Sequence, residues 1–276
     1  MYQIFIETRG KLIDYKFILN EPKDKWWEEY EGLTTFEYTT ILIENINNNP
    51  RIYLSGIPSE RKDSKQTIIY YTLVIELDNN TDTDTDTVLK LVYKWLDEVQ
   101  KSANAWPDQS DIGMLLDKQF PEPDVEKLLD TTTEKSEKNK ILDSGLKKFM
   151  KNISNEVKPM ESSVQCNKYQ RWSRWWGGVQ NLDSRKTWIS LVDKLLKEGS
   201  GGKALLLNLV DKSHMKQLSE QLPDIKIGLL ITNNKEEPQK FPSTRLKTFS
   251  KKKFFNWILT IPPIKYLYSR FHKRYR

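Results

Sequence analysis

The chain has 276 residues, of which 37% are hydrophobic and 30% charged, with nine Trp, twelve Tyr and ten Phe. That length and apolar bulk suffice for one large or two modest domains with a real core, which excludes a disordered chain and one that needs disulfides or metals to fold. One cysteine, Cys166, and two histidines, His214 and His272, exclude an internal disulfide framework and a thiolate-cluster or His-rich metal site within one chain.

In chain order, residues 2–19 alternate apolar and polar positions on both sides of Arg9-Gly10. This pattern predicts a β-hairpin with a tight turn at the glycine. Residues 20–36 hold Pro22, Trp26, Trp27 and an acidic run, and read as a loop or short helix. Strands are expected at 39–43, 51–57 and 67–77, the last rich in Ile, Val, Tyr and Thr, which suit a pleated half-buried surface. The first eighty residues are therefore expected to form an antiparallel sheet of about five strands. TDTDTDT at 81–87 reads as a low-complexity spacer, since Asp and Thr side chains bond their own backbone and oppose helix and sheet alike. Val88, Leu91, Val92, Trp95, Leu96 and Val99 then fall on one face of an amphipathic helix. Pro107, Pro121 and Pro123 interrupt residues 102–165, where a second helix is expected near 137–153.

RWSRWWGG at 171–178 opens the last structured region. Ser184 is placed to cap a helix carrying Trp188, Leu191, Val192, Leu195 and Leu196, with Gly199 closing it. Residues 202–210 and 225–232 are short continuous apolar runs, as expected of strands buried on both faces. Between them Ser213 can cap a short helix that Pro223 stops. This order suggests parallel strands joined by a right-handed crossover. The fold class read from the pattern is α+β, organised as an antiparallel β region (1–80), a spacer and helical region (81–165), a small α/β unit (166–232) and a basic aromatic tail (233–276).

Charge is distributed unevenly. The net +6 combines 9 basic and 13 acidic residues in 1–80, 24 and 25 in 81–237, and 11 and none in 238–276. Such asymmetry points to a tail that meets an anionic surface. Lys251, Lys252, Lys253, Arg270, Lys273, Arg274 and Arg276 interleave with aromatics, Trp257 among them. Three partners suit that mixture: a protein groove, nucleic acid, or an anionic membrane surface. The apolar density of 254–268 exceeds what an electrostatic nucleic-acid arm needs, which favours protein docking. Pro262-Pro263 breaks any helix there, and no run of ~20 apolar residues exists to span a bilayer. MYQIFIETRGK lacks the basic and long apolar regions of a signal peptide, so the expected setting is cytoplasmic.

Other motifs are weaker. GSGGK at 199–203 has neither the spacing nor the strand-then-helix context of a phosphate-binding loop, and reads as a helix stop and turn. Asp211, Ser213 and His214 follow a buried strand, where ligands bind in open α/β sheets, but equally suit an ordinary turn and cap. Cys166 has no base nearby in sequence. Residues 59–65 read as a polar connection in which Arg61 and Lys62 would contact an anionic group and Asp63 would orient one of them. Arg171 and Arg174 interleave with Trp172, Trp175 and Trp176, so one ring of an adjacent pair on a strand could be exposed for stacking.

The leading expectation is a non-enzymatic subunit or adaptor docking through the tail. Alternatives are a nucleic-acid-binding protein using the tail with the 171–176 cluster, a membrane-surface effector, and an enzyme with a pocket near Asp211 and His214. No cofactor and no metal ligand set is implied. The Lys-, Asn- and Ile-rich usage suits an AT-rich microbial genome, where a defence-type assembly is one setting for such a chain.

Overall fold

The computed structural model describes residues 2–30, 38–77, 82–102, 107–156, 172–208 and 225–241. β1 (Tyr2–Thr8) and β2 (Lys16–Phe17) pair antiparallel, with Glu7 opposite Phe17. The hairpin is therefore present, but the tight turn is not. Residues 9–15 form a wider loop in which the Gly10 N–H donates to the Ile13 carbonyl at 3.1 Å. A 3-10 helix, Trp26–Tyr30, follows and buries three aromatic side chains.

β3 (Thr40–Ile46) and β4 (Asn49–Lys62) are joined by Asn47-Asn48, with φ of 56° and 62°. A two-residue hairpin turn of type I′ needs that left-handed pair, and asparagine adopts it more readily than most residues. β4 is longer than the sequence suggests. Residues 59–62, read as a connecting loop, continue the strand because its bulges let it bend and keep pairing with β5 (Ile68–Leu77). Gly56 marks one bulge: its φ is 71°, and a Cβ there would stand 2.5 Å from the Thr39 nitrogen.

α1 (Asp82–Lys101) starts inside the stretch read as a spacer. Residues 82–87 are helical despite the weak helix propensity of Asp and Thr. Asp86 pairs with Lys197 at 3.0 Å. α2 (Asp111–Gln119) and α3 (Glu122–Leu129) were not expected, and the second expected helix is α4 (Lys135–Glu156). The prolines that argued against helix here mark boundaries instead. Pro121 is the N-cap of α3 and Pro123 lies in its first turn, where no N–H is required.

β6 (Arg174–Gly178) leads to α5 (Leu182–Lys197), then to β7 (Gly202–Leu207), β8 (Ile227–Ile231) and β9 (Gln239–Lys240). The N-cap of α5 is Asn181, whose side chain accepts the Ser184 N–H at 2.9 Å. Ser184 is buried in the first turn and donates to the Glu236 carbonyl. β7 and β8 are parallel, as the apolar runs predicted. The helix expected from Ser213 lies outside the described residues.

The class is α+β, and the strands form one nine-stranded sheet in the order β2-β1-β5-β4-β3-β7-β8-β6-β9. The strands from β2 to β7 are antiparallel, β7, β8 and β6 are parallel, and β9 is antiparallel again. The antiparallel pair β3–β7 joins the N-terminal and C-terminal strands. On one face Ile4, Ile43, Leu54, Leu73 and Leu206 pack with side chains of α1, α2, α4 and α5, including Trp95, Phe149 and Trp188. Each fully buried side chain of this kind contributes about 1.5–3 kcal/mol. α2 crosses β4 so closely that a Cβ on Gly113 would fall 1.8 Å from the Pro58 carbonyl oxygen. On the other face Phe5, Leu42, Tyr53, Val74 and Leu205 pack with Trp26, Trp27 and Tyr30 of the 3-10 helix.

Candidate functional site

The second face of the sheet carries a row of polar side chains, one from each of five adjacent strands. The register sets Gln3 opposite Glu76, Glu76 opposite Arg51, Arg51 opposite Glu44, and Glu44 opposite Lys203. Two residues along every strand, the matching row is apolar: Phe5, Val74, Tyr53, Leu42 and Leu205. Directly opposed side chains are near neighbours across a sheet, so the four ionisable members form a ladder of alternating sign.

The inner end of the ladder is dry. Lys203 Nζ lies 3.0 Å from Glu44 Oε2, and both side chains are only 3% exposed. The ammonium also donates to the Tyr30 hydroxyl and stands 4.8 Å from the centre of that ring. Arg51 Nη2 reaches Glu44 Oε1 at 2.8 Å, and Nη1 pairs with the exposed Asp24. The Arg51 guanidinium covers the Trp26 ring at 5.2 Å. Burial, and then the Glu44 and Glu29 carboxylates, push the Tyr30 phenol well above its ordinary range. Tyr30 therefore acts as a neutral hydroxyl that accepts from Lys203. Two charges in such a place cost several kcal/mol each to desolvate, and geometry with several hydrogen bonds is what offsets it.

The outer end is open. Gln3, Arg51 and Glu76 line a depression of about 620 Å3, rimmed by Tyr2, Ile46, Asn47 and Asn49. The type I′ turn sets Asn47 at that rim.

A second ionic node surrounds Arg61, whose side chain is 9% exposed. Its guanidinium lies 3.1 Å from Asp117 of α2 and 3.0 Å from Glu122 of α3. It also donates to Thr8 Oγ1 and the Arg9 carbonyl, and it covers the Tyr71 ring at 5.0 Å. Arg61 is thus engaged inside the chain, where the sequence reading had it meeting an external anion from a loop. The long β4 strand carries it under α2 and α3. Its neighbour Lys62 is exposed. Asp63 does not orient either one. It pairs with Arg9 at 3.4 Å and accepts the backbone N–H groups of Lys65 and Thr67.

In β6, Trp175 and Trp176 point to opposite faces as a strand requires, but neither is free to stack on a ligand. They are 2% and 5% exposed, because both faces of the sheet are covered. Arg174 stands 5.5 Å over the Phe241 ring. Arg171, Cys166, Asp211 and His214 lie outside the described residues, as do Lys251, Lys252, Lys253, Trp257, Arg270, Lys273, Arg274 and Arg276.

The ladder was missed in the sequence. Its signal is a charge inside an otherwise apolar strand: Glu44 in TILIENI and Lys203 in GKALLL. Among the described residues no His, Cys, Asp or Glu cluster is arranged to hold a metal ion, and no helix is long and apolar enough to cross a membrane. Comparison with protein-family models, with curated proteins and with solved structures found no match.

Proposed function

We propose that this chain is an interaction protein, a subunit or adaptor of a larger assembly, that docks on a protein partner through its basic aromatic segment. One observation carries the reading: the contrast between how charge is handled in the two parts of the chain. Within the sheet and helices, the largely buried cations Arg61, Arg185 and Lys203, and the partly exposed Arg51, are each matched by carboxylates of the same chain. Residues 242–276 hold ten basic residues and no acidic one, interleaved with large apolar side chains. A segment with that composition suits a partner surface that offers both carboxylates and an apolar groove.

β9 and the buried Phe241 belong to the sheet, so the informative truncation ends at residue 241. Full-length and 1–241 chains would be purified from native cells and compared for bound protein, nucleic acid and lipid, and any protein found would be rebound in purified form. The expected result is a defined protein that binds the full chain and loses at least tenfold in affinity for the truncated one. Equal affinity for both forms refutes the proposal. Loss of nucleic acid or lipid alone also refutes it, in favour of an electrostatic surface binder.

A further inference from the structure

The depression at the outer end of the ladder has an imbalance that identifies what it would accept. Both terminal nitrogens of Arg51 are already held by carboxylates, Nη2 by Glu44 and Nη1 by Asp24. The Arg51 charge is therefore shared by two carboxylates, and its buried Nε has no partner among the described residues. Glu76, directly across from it, makes no hydrogen bond and no ion pair with any described residue. It is half-buried, and burial holds its carboxyl above the usual range although Arg51 acts in the opposite direction. The row thus ends on a carboxylate that feels Arg51 and Lys23 but is in direct ion-pair contact with neither. Around it stand three side-chain amides: Gln3, directly across from Glu76 on β1, with Asn47 and Asn49 from the β3–β4 turn. Each offers hydrogen-bonding capacity that no described residue uses. Ile46, 40% exposed, and Leu77 add an apolar wall.

We propose that this depression binds a guanidinium or ammonium group carried on an alkyl stem, with Glu76 as its counter-ion. The head would sit between Glu76 and the amide of Gln3, and the stem would lie along Ile46 and Leu77. A half-buried carboxylate pairs more strongly with a cation than an exposed one, since less solvent screens the charge. The same head group occurs on free alkylamines and on the arginine or lysine side chain of a partner protein. The proposal is independent of residues 242–276.

The test uses the full 15N-labelled chain and two probes, agmatine and an N-acetylated, C-amidated Gly-Arg-Gly peptide. The readout is the side-chain amide NMR signals of Gln3, Asn47 and Asn49. The expected result is a saturable shift of these signals with a Kd at or below about 1 mM. Glu76→Gln should weaken binding at least tenfold, and the exposed Glu60→Gln control should leave it unchanged. Gln3→Ala, an exposed position that does not threaten folding, should weaken it severalfold. The 1–241 chain should bind as the full chain does, which separates this site from the docking segment. Tighter binding of agmatine identifies a free amine as the source, and tighter binding of the peptide identifies a protein side chain. No saturable shift with either probe, or equal affinity in Glu76→Gln, overturns the proposal.

Discussion

Glu98 sits on α1 where the chain turns into α2, and it makes folding stability depend on pH in a direction opposite to that of a salt-bridged carboxylate. Its Oε2 accepts the Ser110 hydroxyl at 2.5 Å, and Ser110 in turn caps α2 by accepting the Gly113 N–H at 3.0 Å. Among the described residues the cation that acts on it is Lys94, 3.7 Å from Oε1 and shared with Asp111 at 3.1 Å. Burial pushes the Glu98 carboxyl up to about 7 from its ordinary 4.5, against the opposing influence of Ser110 and Lys94. Between those two values the folded chain keeps a proton that the unfolded chain has released. Stability is therefore highest below pH 4.5, falls as pH rises toward 7, and is level above it as far as this group is concerned. The whole effect is about 3 kcal/mol. Glu98→Gln keeps an acceptor for Ser110 and carries no charge, so it removes the penalty. Urea unfolding followed by tryptophan fluorescence, at several pH values from 5 to 8, measures the stability gap between variant and wild type. The gap should widen in favour of the variant by about 2.5 kcal/mol over that range. A gap that does not change with pH, or one that favours the wild type more at pH 8, refutes the reasoning.

Two further substitutions test the ionic nodes. Lys203→Met leaves Glu44 buried with Arg51 alone and should cost about 3–5 kcal/mol in the same assay, while adding Glu44→Leu should recover much of that loss. A single-variant cost below about 1 kcal/mol would mean the pair behaves as a solvated surface bridge. Arg61→Met strands Asp117 and Glu122 and should likewise cost about 3–5 kcal/mol, whereas the exposed Lys62→Met should stay within about 0.5 kcal/mol. Similar effects at the two positions would contradict the assignment of Arg61 to the interior.

What the sequence made legible follows the physics of each signal. Alternation about Arg9-Gly10 located the β1–β2 hairpin, Ile, Val, Tyr and Thr content located β5, and continuous apolar runs located β7 and β8 with their parallel pairing. Helical spacing of Trp95 and its neighbours located most of α1. Residue propensity misled in two places: 82–87 are helical despite three Asp-Thr repeats, and Pro121 and Pro123 begin a helix, at the positions where a missing N–H costs nothing. The site was less legible for a different reason. Arg61 stood out as an exposed loop cation because its partners, Asp117 and Glu122, lie 56 and 61 residues away. Lys203 was read as part of a glycine turn and of an apolar run, since its partner Tyr30 lies 173 residues away and Glu44 is nearly as remote. Pairing of distant charges leaves no periodic trace in either segment.

The Lys203–Glu44 pair also bears on a question that the apolar pattern of β3 and β7 leaves open. Apart from Ile46 both strands are buried, so a slip of two residues in their register would still place mostly aliphatic side chains against each other. Only the charges distinguish the alternatives. Shifted by two residues one way, Lys203 would face Leu42; shifted the other way, it would face Ile46, and in both cases the buried Lys203 would lose its carboxylate while Glu44 kept Arg51. An unpaired buried charge costs several kcal/mol, more than a few displaced aliphatic contacts return. The same pair stands at the junction between the antiparallel strands and the parallel ones, where no short connection sets the alignment. The row therefore does two jobs with one chemistry. At its dry end it selects the register that joins the two halves of the sheet, and at its open end Glu76 makes no direct ion pair with a described residue.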